Sequence, residues 1–441
     1  MQSEKGIIYH EPPKPLWVPR PFATRPTSVG VMFKTEICDC DAAGNVIAAR
    51  VTHQGRNTIT DWGMDSLDLI SPGTLTSYCH LGSVLGTAKR VLTGGITISL
   101  VITDASNIAV TATAGFFVAG DVGRSLSITD FGGAGITQEL KITAYTDSTH
   151  VTCSTRAGVW LPGFTPGTGP FSSAGVHATD VSTLTNQITK FNTYDTNATN
   201  YNACLNDSSN SRWNLQRVFL SAYVTGSPWN INELGWSNGN ASNYVFGKVN
   251  LSSPDVVAVG KKYRVTLNFY TAYSPIDIAS QSVNWGGTIG TYDFQIRNEI
   301  IVKDDGSSSN NPQHWLRPTA QTAGNTLVPR WWTSAFTMQA IKWDGDTGFN
   351  AGAHGIAAGN SSAGTFYDST YTNGTFTKQR TAKWDDTISI SAATGLSVGL
   401  NTFTTHGGLI TLKPNSGTVT KPAGYWCAIT SQLYWTRDLT N

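Results

Sequence analysis

Apolar and polar residues alternate with a period of two through most of this chain. In Ser28–Asp39, Val31, Phe33, Thr35 and Ile37 fall on one face, the spacing of a half-buried strand. Val46–His53 alternates in the same way, and Asp41-Ala-Ala-Gly-Asn45 between them is turn chemistry. The two runs therefore predict a hairpin. "RVFLSAYVTG", "NYVFGKVNL" and "KKYRVTLNFYTAY" predict three more strands. The last sets Tyr263, Val265, Leu267 and Phe269 against Arg264, Thr266 and Asn268 on the opposite face. From about residue 276 the pattern continues through "TYDFQIRNEIIV", "WWTSAFTMQAI", "DTISISAATGLSVGLNTFTT" and a closing "YWCAITSQLYWTRD". One segment breaks the rule: "TDWGMDSLDLI" reads as a helix of one to three turns capped by Thr60 or Asp61.

The pattern also divides the chain. Residues 1–26 hold Pro12, Pro13, Pro15, Pro19, Pro21 and Pro26, which block both helix and ladder pairing and predict an extended arm. Leu16, Trp17 and Phe22 make it too apolar for a spacer, so it should lie on its own domain or on a neighbouring subunit. Residues 91–176 have their own run of short strands and their own apolar set: Ile108, Phe117, Val122, Leu126, Ile128, Ile142 and Val151. They read as a small inserted β domain within a β-sandwich core of 27–90 plus 177–275. Residues 276–441 are expected to form a C-terminal β domain. Trp343-Asp344 and Trp384-Asp385 echo propeller-blade spacing, but only twice and without Gly-His partners, which argues against a propeller.

Composition supports the all-β class with very little helix: helix formers are sparse, and 44 glycines accompany many Ser, Thr and Asn. With 13% charged residues and a net charge of +1, no dense basic surface is available to bind phosphate backbones, so no nucleic-acid partner is expected. "MQSEKGIIYHEPPKP" lacks an apolar signal region. No run approaches the roughly 18 apolar residues of a membrane span. The expectation is a chain neither exported by the Sec route nor inserted in a membrane. The six cysteines include no CxxC pair and read as buried thiols.

Candidate chemistry is thin. Gly235-Trp-Ser237-Asn-Gly239 spells the nucleophile elbow of serine hydrolases, but an elbow needs a buried apolar strand before it and a helix after it. Here Pro228 and polar residues precede it. Asn238-Gly239, a hairpin signal, and a strand-like run follow, so Ser237 reads as a turn residue with Trp236 packed beside it. The eight histidines form no HxH or HxxxH pair. Asp344-Gly-Asp346 opens like a calcium loop but lacks its sixth-position glycine and closing Glu. Asp-Phe-Gly at 130–132 stands without other kinase elements. No catalytic, cofactor or metal residue is assigned. Fourteen tryptophans and fifteen tyrosines could line a sugar-binding surface; interfaces between domains or subunits are the favoured reading, because Trp331-Trp332 and Tyr425-Trp426 face both sides of their strands.

One series remains: "GRNTITDWGMDSLDLI", "YCHLGSVLGTA", "DVSTLTNQITKF", "NINELGWSNGNASNYVFGKVN", "GKKYRVTLNFYTAY" and the closing "LYWTRD". It resembles structural proteins of tailed-bacteriophage virions, of the tail-fibre and appendage kind, over roughly residues 46–90 and 177–275 plus the last strand. The insertion and the length beyond 276 depart from that pattern. The resemblance implies a virion protein made in the host cytoplasm and acting in assembly and host attachment without catalysis. Its implied partners are copies of itself, as a homotrimer, other proteins of the tail, neck or capsid, and a host-surface glycan. The arm residues Pro12, Pro13, Pro15, Leu16, Trp17 and Phe22 would be the anchor. A capsid decoration protein, a lectin-like module and a glycan depolymerase are the alternatives; the last is disfavoured because no 20–25-residue coil period is visible.

Overall fold

The computed structural model is all-β and sandwich-like, with large antiparallel sheets and little helix. It describes residues 22–23, 27–67, 70, 72–86, 89–131, 138–160, 165–207, 212–239, 243–272, 276–285, 288–296, 336–343, 354–362, 365–368, 371–384, 390–393, 395–400, 408–414, 419–421 and 427–439. Among them no helix is long and apolar enough to cross a membrane.

The predicted hairpin forms from Thr27–Cys40 and Val46–Ile59. Its turn is closed by Asp41, whose carboxylate accepts from the Asn45 amide at 2.8 Å. These two strands sit in the middle of the largest sheet. Beyond Thr27–Cys40 come Lys262–Ala272, Arg212–Leu220 and Asn202–Asp207; beyond Val46–Ile59 come Gly247–Val257, Trp229–Ser237, Tyr78–Gly82 and Gln187–Phe191. The link between the two halves is narrow, since Gly247–Val257 meets Val46–Ile59 at only Gly247↔Ile59 and Lys248↔Thr58. The sheet folds over there and its halves face each other. Phe246 meets Phe269 at 5.6 Å between ring centres, and the Tyr263 hydroxyl donates to Asp255 at 2.6 Å. Tyr263, Val265, Leu267 and Phe269 are all fully buried, as their alternation predicts.

The helix is a short one, Asp61–Ser66, and Thr60 caps it by accepting from the Gly63 amide at 3.0 Å. It is held by a distant strand: the indole of Trp435 donates to the Met64 carbonyl at 2.9 Å.

The described residues from 276 on divide among three sheets, the smallest of which pairs Ile390–Ala393 with Val419–Lys421. Ile276–Trp285, Thr288–Ile296, Phe336–Trp343, His354–Ser362, Gly395–Leu400 and Gly408–Pro414 form a six-stranded sheet. Cys427–Arg437 instead runs parallel to Thr27–Cys40 in the large sheet, with Val29 opposite Arg437, and carries Thr377–Trp384 on its other side. Of the arm, Pro12, Pro13, Pro15, Leu16 and Trp17 lie outside the described residues. Phe22–Ala23 forms a two-residue strand parallel to this same last strand, Phe22 opposite Ser431.

The inserted segment forms its own seven-stranded sheet, from Arg90–Val91 to Ala174–His177. Its first and last strands pair with each other, Gly175 opposite Val91, so the chain leaves close to where it entered. Ile108, Phe117, Leu126, Ile128, Ile142 and Val151 are buried in one cluster. Val122 corrects the expectation: it is 45% exposed. It lies in the turn between a 3-10 turn, Ala119–Asp121, and the strand Ser125–Ile128, outside any strand that would turn it inward. Asp121 goes inside in its place, fully buried, and pairs with Arg90 and Arg124.

Candidate functional site

Ser237 ends the Trp229–Ser237 strand, and the neighbouring strand brings His80 to it, with Gly235 opposite His80 and Ser237 opposite Tyr78. The Ser237 hydroxyl lies 2.6 Å from His80 Nε2, and His80 Nδ1 lies 2.6 Å from Gln187 Oε1. The Gly239 amide, in a left-handed turn at φ +76°, donates to Ser237 Oγ at 2.9 Å. Burial holds the His80 pKa below its ordinary value, with the nearby Lys190 charge acting the same way against the Gln187 hydrogen bond. A neutral imidazole fits one arrangement: Nδ1–H donates to Gln187, and Ser237 donates to Nε2. The order serine, histidine, acceptor is that of a hydrolase triad. Two features separate it from one. Ser237 and His80 are both fully closed to solvent, and a neutral amide stands where a carboxylate would stabilise the imidazolium. Sequence spacing does not pair these residues because they lie 157 and 107 positions apart.

A second cluster joins the insertion to the core. Arg156 of the insertion reaches Asp61 through two hydrogen bonds, of 3.0 and 3.2 Å, and Glu139 at 2.9 Å. Arg437 of the last strand pairs with the same two carboxylates and donates to the Ile59 carbonyl at 2.7 Å. The Ser125 hydroxyl donates to Glu139 at 2.6 Å and lies 2.9 Å from the Thr179 hydroxyl. Both guanidiniums lie over the Phe376 ring, at 5.1 and 4.8 Å, a cation–π geometry. Two cations meet two anions, so the site is neutral. Burial alone would raise Asp61; the Arg437 and Arg156 charges outweigh it and hold its pKa below the ordinary 3.8. The arrangement ties the helix, the insertion and the last strand together.

The outer face of the large sheet carries a groove of about 880 Å³ lined by Gln54, Gln216, Thr266 and Asn268. Its charged residues are paired, partly with residues outside the lining: Glu36 with Lys34 and Arg264, Arg264 with Asp195, and Arg56 with Asp438. Among the described residues no group of three or more His, Cys, Asp or Glu is arranged to hold a metal ion. The Asp344–Asp346 segment lies outside them. Of the cysteines, Cys38, Cys79 and Cys153 are buried free thiols, and Cys40 is half-buried and free. No protein-family model, curated protein or solved structure matches the chain.

Proposed function

We propose that the chain is a structural component of a tailed-phage virion: a tail fibre, an appendage or its adaptor, working in particle assembly and host attachment without catalysis. The observation that carries the reading is the adjacency of the motifs behind the virion resemblance. They are scattered over the sequence and interrupted by the insertion, yet Val46–Ile59, Tyr78–Gly82, Gln187–Phe191, Trp229–Ser237, Gly247–Val257, Lys262–Ala272 and Cys427–Arg437 all belong to one sheet. A set of short motifs that packs as one unit behaves as one inherited scaffold, with the insertion and the six-stranded sheet as additions to it. The sealed Ser237–His80 pair supports a role without hydrolysis. Homotrimers are the expected state, since apolar strand faces left by one chain can be covered by a rotated copy. The arm enters the scaffold through Phe22–Ala23 beside the last strand, which suits a tether that transmits load into the sheet.

Deletion of residues 1–21, which spares that short strand, tests the reading. The truncated chain is expected to fold and to give by light scattering three times its own, reduced chain mass, but to be missing from purified particles. An antibody to the chain should label the tail of intact particles. Labelling of no particle would refute the virion reading, and normal incorporation of the truncated chain would refute the anchor.

A second reading is favoured by the groove on the outer sheet face. Its lining of amides and hydroxyls, such as Gln54, Gln216, Thr266 and Asn268, suits a glycan, as in a lectin-like module. A glycan screen that found binding by an isolated monomer would support it over the first.

A further inference from the structure

The strand Val46–Ile59 is paired along one edge and open along part of the other. From Val46 to Asn57 it pairs with Thr27–Cys40. On its other side Gly247–Val257 meets it only at Ile59 and Thr58. Nearer the hairpin turn, side chains close the gap: the Thr52 hydroxyl donates to Asp255 at 2.7 Å, and His53 Nε2 lies 3.2 Å from the same carboxylate. Over residues 47–51 no described strand pairs with that side, and all five residues are exposed.

This open run is apolar. Ile47 is 68% and Val51 50% exposed, with Ala48 and Ala49 between them. Val256, which follows Asp255, is 61% exposed and extends the apolar surface beside the Thr52 contact. The run holds no lysine and no proline, residues that commonly blunt an edge against pairing. A row of unpaired backbone N–H and C=O groups beside exposed β-branched side chains is a template for one more strand.

The run is complementary to itself. Turned antiparallel to a second copy about Ala49, it sets Ile47 opposite the second copy's Val51, and Ala48 opposite the second copy's Arg50. Asp39 stands opposite Ala48 within the sheet, so the second copy's Arg50 would reach over the small Ala48 to Asp39. Two strand spacings, about 10 Å, separate those positions, a gap that a long and a short side chain bridge together. Asp39 holds Lys261 through Oδ1 and has a second oxygen to offer; Arg50 has no ion pair among the described residues. We propose that residues 47–51 form a twofold interface with a second copy of this chain, joining the two sheets edge to edge. A twofold contact uses the same edge on both copies and leaves none for a third. Register shifts in the pairing with Thr27–Cys40 bound the straight run, so the contact is short and reversible. The inference goes beyond the virion reading: the contact doubles whatever assembly the dilute chain forms.

Light scattering on the full chain over a dilution series, from about 1 mM to about 1 μM, tests it. The molar mass is expected to approach twice its dilute value at the concentrated end and to stop there. Ile47→Lys and Val51→Lys change exposed side chains, so the double variant should melt with the parent and keep the dilute mass throughout. Arg50→Asp should weaken the association about threefold, the scale of an exposed ion pair, and adding Asp39→Arg should restore it. A mass that does not change with concentration, a mass that grows past doubling, doubling that survives both lysines, or a charge exchange that fails to restore association would each overturn the proposal. The trimer of the proposed function is read separately, from the dilute mass, so either idea can fail alone.

Discussion

The Ser237 hydroxyl and the His80 imidazole lie 2.6 Å apart, and neither is accessible to solvent. The contact therefore acts on stability. Ser237→Ala leaves His80 Nε2 and the Gly239 amide without their partner. The expected cost is about 1–3 kcal/mol, the penalty of an unsatisfied buried polar group, read from chemical-denaturation midpoints. Ester hydrolysis by the parent protein should equal the buffer rate. Turnover of p-nitrophenyl acetate that disappears in the alanine variant would reverse this reading.

His177 gives the protein an acid-sensitive side. It is 2% exposed, its Nε2 lies 2.9 Å from the Ser127 hydroxyl, and burial, with the charges of Lys89 and Arg437, pushes its pKa down to about 3 from 6.5. The unfolded chain binds this proton near pH 6.5, the folded chain only near pH 3. The unfolded state thus holds more protons between those values, and stability falls as pH drops through that window. Urea midpoints should decline from pH 7.5 to pH 4, and His177→Gln should flatten part of that slope. His80 contributes in the same direction. An identical slope in the glutamine variant would remove His177 as a cause.

The four-charge junction makes an asymmetric prediction. Arg437→Met leaves Asp61 and Glu139 with one guanidinium between them and should cost about 3–5 kcal/mol, as breaking a buried pair does. Excising residues 91–176 and joining the ends with a short linker removes Glu139 and Arg156 together and leaves the Asp61–Arg437 pair intact. The excised protein should melt cooperatively and closer to the parent than the point variant does. Calorimetry of the two proteins side by side decides it.

Gly63 stands where the helix meets the loop before Gly247. A Cβ there would come 2.1 Å from the Phe246 carbonyl oxygen, and backbone cannot swing aside as a flexible side chain can. Gly63→Ala should cost about 1–3 kcal/mol, the usual range for overpacking. It should also loosen Trp435, whose indole bonds the next residue's carbonyl; a red shift in tryptophan emission would report this.

What could be read in advance follows from the range of the interaction. The hairpin around Asp41–Asn45, the Thr60 cap and the buried row Tyr263–Phe269 depend on neighbours in sequence, and alternation with turn chemistry reveals them. The insertion was visible because it buries its own apolar set. Val122 departs from the expectation because it sits in a turn and not in a strand, and no local signal marks Asp121 as the residue that goes inside. The Ser237–His80–Gln187 set joins residues from three separate strands, and the Asp61–Glu139–Arg156–Arg437 cluster joins a helix, a turn and two strands, so spacing carries no trace of them. The only hint was compositional: charged residues are few, and those inside must find each other.

The last strand has a consequence for how the protein is made. Arg437 bonds the carbonyl of Ile59, 378 positions earlier. At synthesis rates of about 5–20 residues per second, the hairpin and helix wait roughly 20–75 seconds on the ribosome before that strand emerges. Until then Thr27–Val29, the stretch of that strand which the last strand pairs, offers unpaired backbone to any neighbouring nascent chain. Polysomes would bring identical waiting edges together, so translation speed through the later residues should govern how much of this protein reaches its native state and how much aggregates.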